Sequence, residues 1–210
     1  MKKIIALKLI GGLSETSKMP GKSFGLPTAH CITGSALAKI PGTVCNDCYA
    51  KKGFYQCFAS TVVPAQMRRL VAANAEPQWI EAMVIALKKE RWFRWFDSGD
   101  LQSVKMLEDI FEVCRQTPWC RHWLATRERS FVRQTLINSD VPENLVIRVS
   151  ATFPDVPVRE MYLEGVNYAN VHKDAPPDGY ECAAPSQNGQ CDTCRVCWSR
   201  DVKTVSYHIH

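Results

Sequence analysis

The sequence lacks any hydrophobic run that approaches the roughly 18 apolar residues needed to cross a membrane. Its opening residues, MKKIIALKLIGG, resemble a secretion signal only faintly, because Lys8 interrupts the apolar stretch and no small-residue cleavage site follows. It also lacks internal repeats, low-complexity tracts and a long basic tail. These absences argue against a membrane protein and predict a soluble, cytoplasmic one.

A strong charge of either sign is also missing. The net charge is +5, from 26 basic and 21 acidic residues, which permits an anionic partner such as nucleic acid without requiring one. The 210 residues, 46% of them hydrophobic, suffice for one sizeable core. We predict an α/β domain over residues 1–173 and a cysteine-rich, metal-binding extension over 174–210 that packs on it.

Hydrophobic periodicity alternates between strands and helices along the chain. The first residues suggest a strand, and residues 11–45 form a long irregular segment. Helices are predicted at 61–75, from Pro77, from Ser103, from a cap at Ser130 and near 157–163; strands are predicted at 91–96, 122–126, 144–153 and, as the last, 166–172. This alternation predicts an α/β fold with a parallel sheet, either curled or a partial (β/α) barrel.

Polar residues follow the predicted strands, where parallel sheets place their sites. They are Asp97, Ser98, Asp100, Arg127, Ser150, Thr152, His172 and Lys173. The loop Asp97–Asp100, with Gly99, and Arg127 are the candidate ligand-binding residues. Two alternatives stay open: Asp100 caps the helix that starts near Ser103, and Arg127 pairs with Glu128 or Asp155.

Ten cysteines are many for a chain kept in a reducing compartment, which favours metal ligation or catalysis over disulfides. Cys182, Cys191, Cys194 and Cys197 form C-x8-C-x2-C-x2-C in a polar segment that cannot form a packed core. Successive x2 spacing is typical of iron–sulfur ligation, whereas zinc more often uses two separated pairs. We therefore predict a 4Fe–4S cluster here, with zinc as the alternative.

Three more cysteines form C-x13-C-x2-C. Cys31, Cys45 and Cys48 would hold a four-iron cluster and leave one iron open to a small-molecule ligand. In a rival arrangement, Cys45 and Cys48 share a zinc ion with Cys194 and Cys197. A separate alternative is that Cys31 is no ligand but a small buried residue.

The remaining cysteines are isolated, and we assign Cys57, Cys114 and Cys120 to packing. The histidines do not cluster usefully. His208 and His210 alternate near the end of the chain, in an edge strand or tail that could bind metal adventitiously.

Four segments resemble the phage gene product 88 family: KMPGKSFGLPTAHC, CNDCYAKKGFY, FRWFDSGDL and the final C-x2-C-x2-CW. The resemblance spans most of the chain and implies a phage origin, hence the cytoplasm of the host cell. More distantly, CYA before a βα pattern is similar to phage-associated radical S-adenosylmethionine (SAM) proteins. There, three cysteines hold a cluster and a loop after the second strand holds the amino group of SAM, a role that falls here to Asp97–Asp100 with Asp100 as the acid.

Two functions follow as hypotheses. The first is an iron–sulfur protein with a radical-SAM-like partial barrel, a redox or radical enzyme whose substrate, electron donor and oligomeric state the sequence does not reveal. The alternative is a binding protein for nucleic acid or a host protein, held together by zinc or a cluster. Its aromatic residues Tyr49, Phe54 and Tyr55 would stack on bases.

Overall fold

The computed structural model describes residues 1–158 and 165–209 and builds them around one eight-stranded sheet. The strands run in the order β1-β2-β3-β4-β5-β6-β8-β7, and every neighbouring pair is parallel except β1 with β2. Their bounds are β1 (Ser14–Glu15), β2 (Lys22–Phe24), β3 (Trp92–Trp95), β4 (Arg121–Thr126), β5 (Leu145–Ser150), β6 (Val166–His172), β7 (Tyr180–Glu181) and β8 (Thr204–His208).

The sheet is open. From β2 to β6 consecutive strands are neighbours, which is the strand order of a (β/α) barrel, but β1 and β7 are edges that do not meet. The predicted α/β class and parallel sheet are therefore confirmed, without barrel closure. The sheet also continues beyond β6, predicted as the last strand, because β8 pairs with β6 and β7 pairs with β8.

The bounds of the helices are α1 (Lys3–Leu9), α2 (Ile32–Leu37), α3 (Gly53–Cys57), α4 (Ala59–Ala75), α5 (Trp79–Ala86), α6 (Val104–Gln116) and α7 (Arg129–Asn138). Four of the helices pack side by side, α1 on α5, α5 on α6 and α6 on α7. In α6, the 3.6-residue period buries Leu107, Ile110, Phe111 and Cys114 as predicted, while Val104 is only half-buried. The Ser103 hydroxyl caps this helix by accepting the N–H of Met106.

Several local predictions were wrong. Residues 11–45, predicted as one long irregular segment, contain β1, β2 and α2. The first residues form helix α1 rather than a strand, and Ala6 and Ile10, four residues apart, are its buried contacts. Ser130 does not cap α7, because Glu128 occupies the cap position. Pro64 lies inside α4 rather than in its first turn, since that helix begins earlier, at Ala59. Most of the helix predicted near 157–163 falls outside the described residues.

The C-terminal segment covers one face of the sheet. Trp198 lies against Trp92 and Trp123, and its Nε1–H donates to the carbonyl of Phe93 at 2.9 Å. Strand β5 is consequently buried on both faces, as its apolar run predicted. Among the described residues, no helix is long and apolar enough to cross a membrane.

Candidate functional site

The loop after β3 lies at the carboxyl end of the sheet and runs beside the segment that follows β2. Leu26 N–H donates to the carbonyl of Ser98 at 2.8 Å, so the two segments stay in contact beyond their strands. Gly99 has a φ of 74°, and a Cβ there would lie 2.7 Å from the Leu26 carbonyl oxygen. Glycine is thus required by both the backbone conformation and the close approach.

Asp100 bridges the ends of β3 and β4. One carboxylate oxygen accepts the Thr126 hydroxyl at 2.5 Å and the Leu101 N–H at 2.8 Å, and the other accepts the Arg127 N–H at 2.9 Å. Burial raises the pKa of Asp100 to about 6 even though these hydrogen bonds oppose the rise. Because Ser103 caps α6, the helix-cap alternative for Asp100 does not hold.

The other residues of this loop are also buried and bonded within the protein. Ser98 accepts the side-chain amide of Gln66 at 2.7 Å and donates to the carbonyl of Leu26 at 3.0 Å. Asp97 accepts the hydroxyl of Tyr55 at 2.7 Å through one oxygen, while its other oxygen is buried without a partner. Ser98 therefore serves the fold, whereas one carboxylate oxygen of Asp97 can still accept a hydrogen bond from a ligand.

Arg127 does not form the surface pairs that were its alternative. Its Nε–H donates to the carbonyl of Ala151 at 3.2 Å. Glu128 turns instead to the cysteine loop, where its two oxygens accept the backbone N–H and the hydroxyl of Thr33, both at 2.7 Å. Asp155 accepts three backbone N–H groups at residues 173–175. The positive charge of Arg127 therefore acts on the nearby thiol of Cys45 rather than on Glu128 or Asp155.

Cys31, Cys45 and Cys48 lie together above this end of the sheet. A Cβ placed on Gly34 would lie 3.6 Å from the sulfur of Cys45 and 3.7 Å from that of Cys31, so both thiols border one small space. The absence of a side chain at Gly34 keeps that space open. The backbone N–H of Val44 donates to the carbonyl of Thr152 at 2.9 Å and ties the loop to the chain after β5.

The surroundings of these thiols disfavour bare thiolates. Burial, and after it the charge of Asp100, raise the pKa of Cys31 to about 12. Charges at Cys48 and Cys45 contribute to the same rise. Burial also raises the pKa of Cys45, which the positive charge of Arg127 partly offsets. A bound cation would relieve the mutual repulsion, since metal ions bind cysteine as thiolate.

Two tyrosines that sequence reasoning took for base-stacking groups instead anchor the cysteine loop. The hydroxyl of Tyr49 donates to the backbone carbonyl of Asp97 at 2.5 Å, and that of Tyr55 bonds the Asp97 carboxylate. Arg94, on β3, donates to the Tyr49 hydroxyl at 3.2 Å. The position of Tyr49 directly after Cys48 was the sequence feature that could have indicated this anchoring role. Glu128 offered no comparable signal, because its partner Thr33 lies 95 residues away.

The four C-terminal cysteines form a second group beside β7 and β8. Burial raises the pKa of Cys197 to about 11, and the charge of Cys182 adds to the rise. Burial also raises the pKa of Cys191, with smaller contributions from the charges of Cys182 and Cys194. The charge of Cys194 raises the pKa of Tyr180, and the hydroxyl of Tyr207 lies 3.1 Å from the sulfur of Cys197. Backbone bonds from Cys182 to Ser206 and from Cys191 to Lys18 hold the segment in place. The structure thus groups Cys194 and Cys197 with Cys182 rather than with Cys45 and Cys48.

Arg148 lies beneath this second group and is fully buried on β5. Its guanidinium donates to the backbone carbonyls of five residues, namely Cys197, Val196, Ser199, Tyr168 and Lys203. These carbonyls satisfy its hydrogen bonds but supply no net negative charge. Its positive charge lowers the pKa of Cys197, against the larger effect of burial. Arg148 therefore both shapes the C-terminal segment and favours an anion at Cys197.

The remaining predicted residues lie away from the thiols or serve the fold. Ser150 is buried at the end of β5 and Lys173 is exposed. His172 contacts the Ser206 hydroxyl at 2.8 Å and Glu181 at 3.5 Å. Cys114 and Cys120 are buried in the core as predicted, whereas Cys57 is exposed on α3, so its assignment to packing was wrong.

Across residues 1–158 and 165–209, no group of three or more His, Cys, Asp or Glu side chains stands in a geometry that holds a metal ion directly. One tetrahedral zinc ion with Zn–S bonds of about 2.3 Å would require sulfurs about 3.8 Å apart. The iron–sulfur and zinc assignments therefore both stay predictions.

Comparison with known proteins gives one match. The family model described as gene product 88 matches residues 6–200, which confirms the resemblance that the motifs predicted. No curated protein and no solved structure matches the chain. The radical-SAM resemblance and its cofactors stay predictions.

Proposed function

The chain belongs to the gene product 88 family, and from that premise we propose that it is an iron–sulfur protein with two cluster sites on one α/β sheet. The observation that carries the proposal is spatial: seven cysteines, far apart in sequence, form one group of three and one group of four. A reduced cytoplasmic protein has little other use for so many converging thiols.

The group of three would hold a four-iron cluster through Cys31, Cys45 and Cys48. Such a cluster supplies one-electron redox chemistry and, with three protein ligands, an iron that accepts a small molecule. Asp100 and Arg127, whose charges act on Cys31 and Cys45 from the carboxyl ends of β3 and β4, are the residues that would face that small molecule. Glu128 fixes the loop that carries Cys31.

SAM is the small molecule that the distant resemblance suggests, and two carboxylates bear on its fit. The oxygens of Asp100 already accept three hydrogen bonds, which leaves room for about one more. Asp97 has one buried oxygen without a partner. An ammonium group would suit either carboxylate, and the guanidinium of Arg127 would suit a carboxylate. Radical chemistry on a substrate is the activity this arrangement would serve.

The group of four would hold a second cluster with no open position. The Tyr207 hydroxyl, which lies beside the sulfur of Cys197, and the positive charge of Arg148, which bonds the backbone carbonyl of Cys197, would stabilise the negative charge of a thiolate-bound cluster. Because the polar segment that carries these cysteines has few apolar side chains, we expect its order to depend on the cluster.

The test is to purify the protein anaerobically and record its colour. An iron–sulfur protein is brown and absorbs broadly near about 400 nm, whereas zinc is colourless. Iron and sulfide analysis should give about eight of each per chain, and about four in Cys45→Ser or in Cys194→Ser. The matched control is Cys57→Ser, an exposed cysteine outside both groups, which should keep the full content. A colourless protein that contains only zinc overturns the proposal.

The open iron needs a separate measurement. Adding SAM to the reduced protein should change the electron paramagnetic resonance spectrum of the three-thiol cluster, and Asp100→Ala should weaken that change. An unchanged spectrum at about millimolar SAM, the upper end of the usual range of enzyme KM values, would remove SAM while leaving the clusters in place.

A further inference from the structure

Helix α3 and the first turns of α4 leave an aromatic pair uncovered. Phe54 is 81% exposed and Phe58 is 56% exposed. Their rings are nearly parallel, with an angle of 3° between the planes and 6.1 Å between the centroids. Two large apolar rings held face to face in solvent gain little for folding, so this arrangement points to a ligand.

The pair is held rigidly against the body of the protein. Between the two phenylalanines, Tyr55 points inward and its hydroxyl donates to the Asp97 carboxylate. Tyr49 lies against Tyr55, with 6.0 Å between ring centroids, and the Tyr49 hydroxyl donates to the backbone carbonyl of Asp97. Phe54 and Phe58 therefore lie at a defined place beside the group of three cysteines. A ligand would bind them without the entropic cost of ordering this segment.

The charge around the pair has one sign. Residues 48–75 contain four basic residues and no acidic one, although one residue in ten is acidic over the chain, 21 of 210. Lys51 and Lys52 immediately precede the pair and are exposed, as is Arg68 on α4. Lys52 also contacts Asp47, the nearest acidic residue before this segment. Flat rings next to exposed cations match the bases and phosphates of a nucleic acid strand.

We propose that the surface formed by Phe54, Phe58, Lys51 and Lys52 binds single-stranded nucleic acid. Bases stack on the two rings and phosphates contact the lysines. A duplex keeps its bases stacked on each other, so it cannot use the rings in this way. The proposal rests on this surface alone and is independent of whether the cysteines hold clusters.

The test is fluorescence anisotropy with a labelled oligothymidine and an equally long RNA at low salt, compared with a hairpin duplex. Each stacked base contributes about 1–3 kcal/mol, so Phe54→Ala/Phe58→Ala should weaken single-strand binding at least about tenfold. Both side chains face solvent, so the variant should stay folded. Lys51→Gln/Lys52→Gln should make binding less sensitive to salt, because fewer counterions are released.

Matched controls come from the same chain. Ile137, 78% exposed on α7, offers an equally exposed apolar side chain, and Ile137→Ala should bind as the wild type does. Lys88→Gln/Lys89→Gln removes two adjacent exposed lysines elsewhere and should leave the salt dependence unchanged. Three results would each overturn the proposal: no binding to either single strand, equal binding to the duplex, or binding that survives loss of both rings. Sedimentation showing that the pair instead joins two copies of the chain would overturn it as well.

Discussion

Replacing Glu128 by alanine should loosen the loop that carries Cys31. Glu128 is 2% exposed, and its two oxygens accept the N–H and the hydroxyl of Thr33 at 2.7 Å each. Hydrogen bonds to charged groups contribute about 1.5–3 kcal/mol each, so losing both should cost about 3 kcal/mol or more. We expect the lower end, because Thr33 is half-buried and water can replace part of what is lost.

A double-mutant cycle with Thr33→Val isolates the hydroxyl bond. Urea unfolding of the wild type, Glu128→Ala, Thr33→Val and the double variant should give a coupling energy of about 1.5–3 kcal/mol. The matched cycle pairs Thr33→Val with Glu112→Ala, a glutamate on α6 that bonds Gln116 instead, and its coupling should be near zero. A Glu128 coupling below about 0.5 kcal/mol would refute the reasoning.

The same substitution should be visible at the thiols. In Glu128→Ala, iodoacetamide should modify Cys31 faster than in the wild type, because the segment that begins with Cys31 and Thr33 has lost its attachment to the end of β4. Cys57, exposed on α3, is the internal reference, and its rate should not change. Unchanged modification of Cys31 would mean that other contacts hold the loop.

The remaining predictions concern the core, the buried arginine and the C-terminal cysteines. Burial lowers the pKa of His122 from 6.5 to about 3, so the unfolded chain binds more protons than the folded one between those values and stability falls as pH drops below 6.5. The His122 ring should lower the free energy of unfolding of the wild type by about 2 kcal/mol at about pH 5 relative to about pH 7.5. Urea titration of His122→Gln should not show this loss. Asp100, whose raised pKa acts in the opposite direction, is present in both proteins, so its contribution cancels in the comparison. Arg148→Met should lower the free energy of unfolding by about 3–5 kcal/mol because it leaves buried carbonyls without donors, Arg148→Lys should recover part of it, and a fully stable Met variant would contradict this. Serine at Cys191, Cys194 or Cys197 should strip metal and reduce solubility, while Cys114→Ala should keep its metal and cost about 1 kcal/mol in thermal or urea unfolding.

Local pattern was a good guide where one element buries one face. Helix α6 repeats its apolar residues at 3.6-residue spacing and β5 is mostly apolar, and both formed within the predicted ranges. The opening residues are too short for periodicity to separate strand from helix. Packing against α5 favours the helical conformation of α1 over a strand. That packing buries Ala6 and Ile10 and leaves Ile4 and Ile5 exposed.

The sequence by itself determined the α/β class and the family, because hydrophobic period and motif spacing are local properties that a chain carries whether folded or not. It left open whether Cys45 and Cys48 group with Cys31 or with Cys194 and Cys197. Only the tertiary structure decided which groups meet. It brought Glu128 to Thr33 across 95 residues and placed Arg148 beneath Cys197. It also turned Tyr49 and Tyr55 inward while leaving Phe54 and Phe58 in solvent. These contacts depend on parallel strands ending at one edge and on the C-terminal segment covering the sheet, and no local pattern of residues encodes such an arrangement.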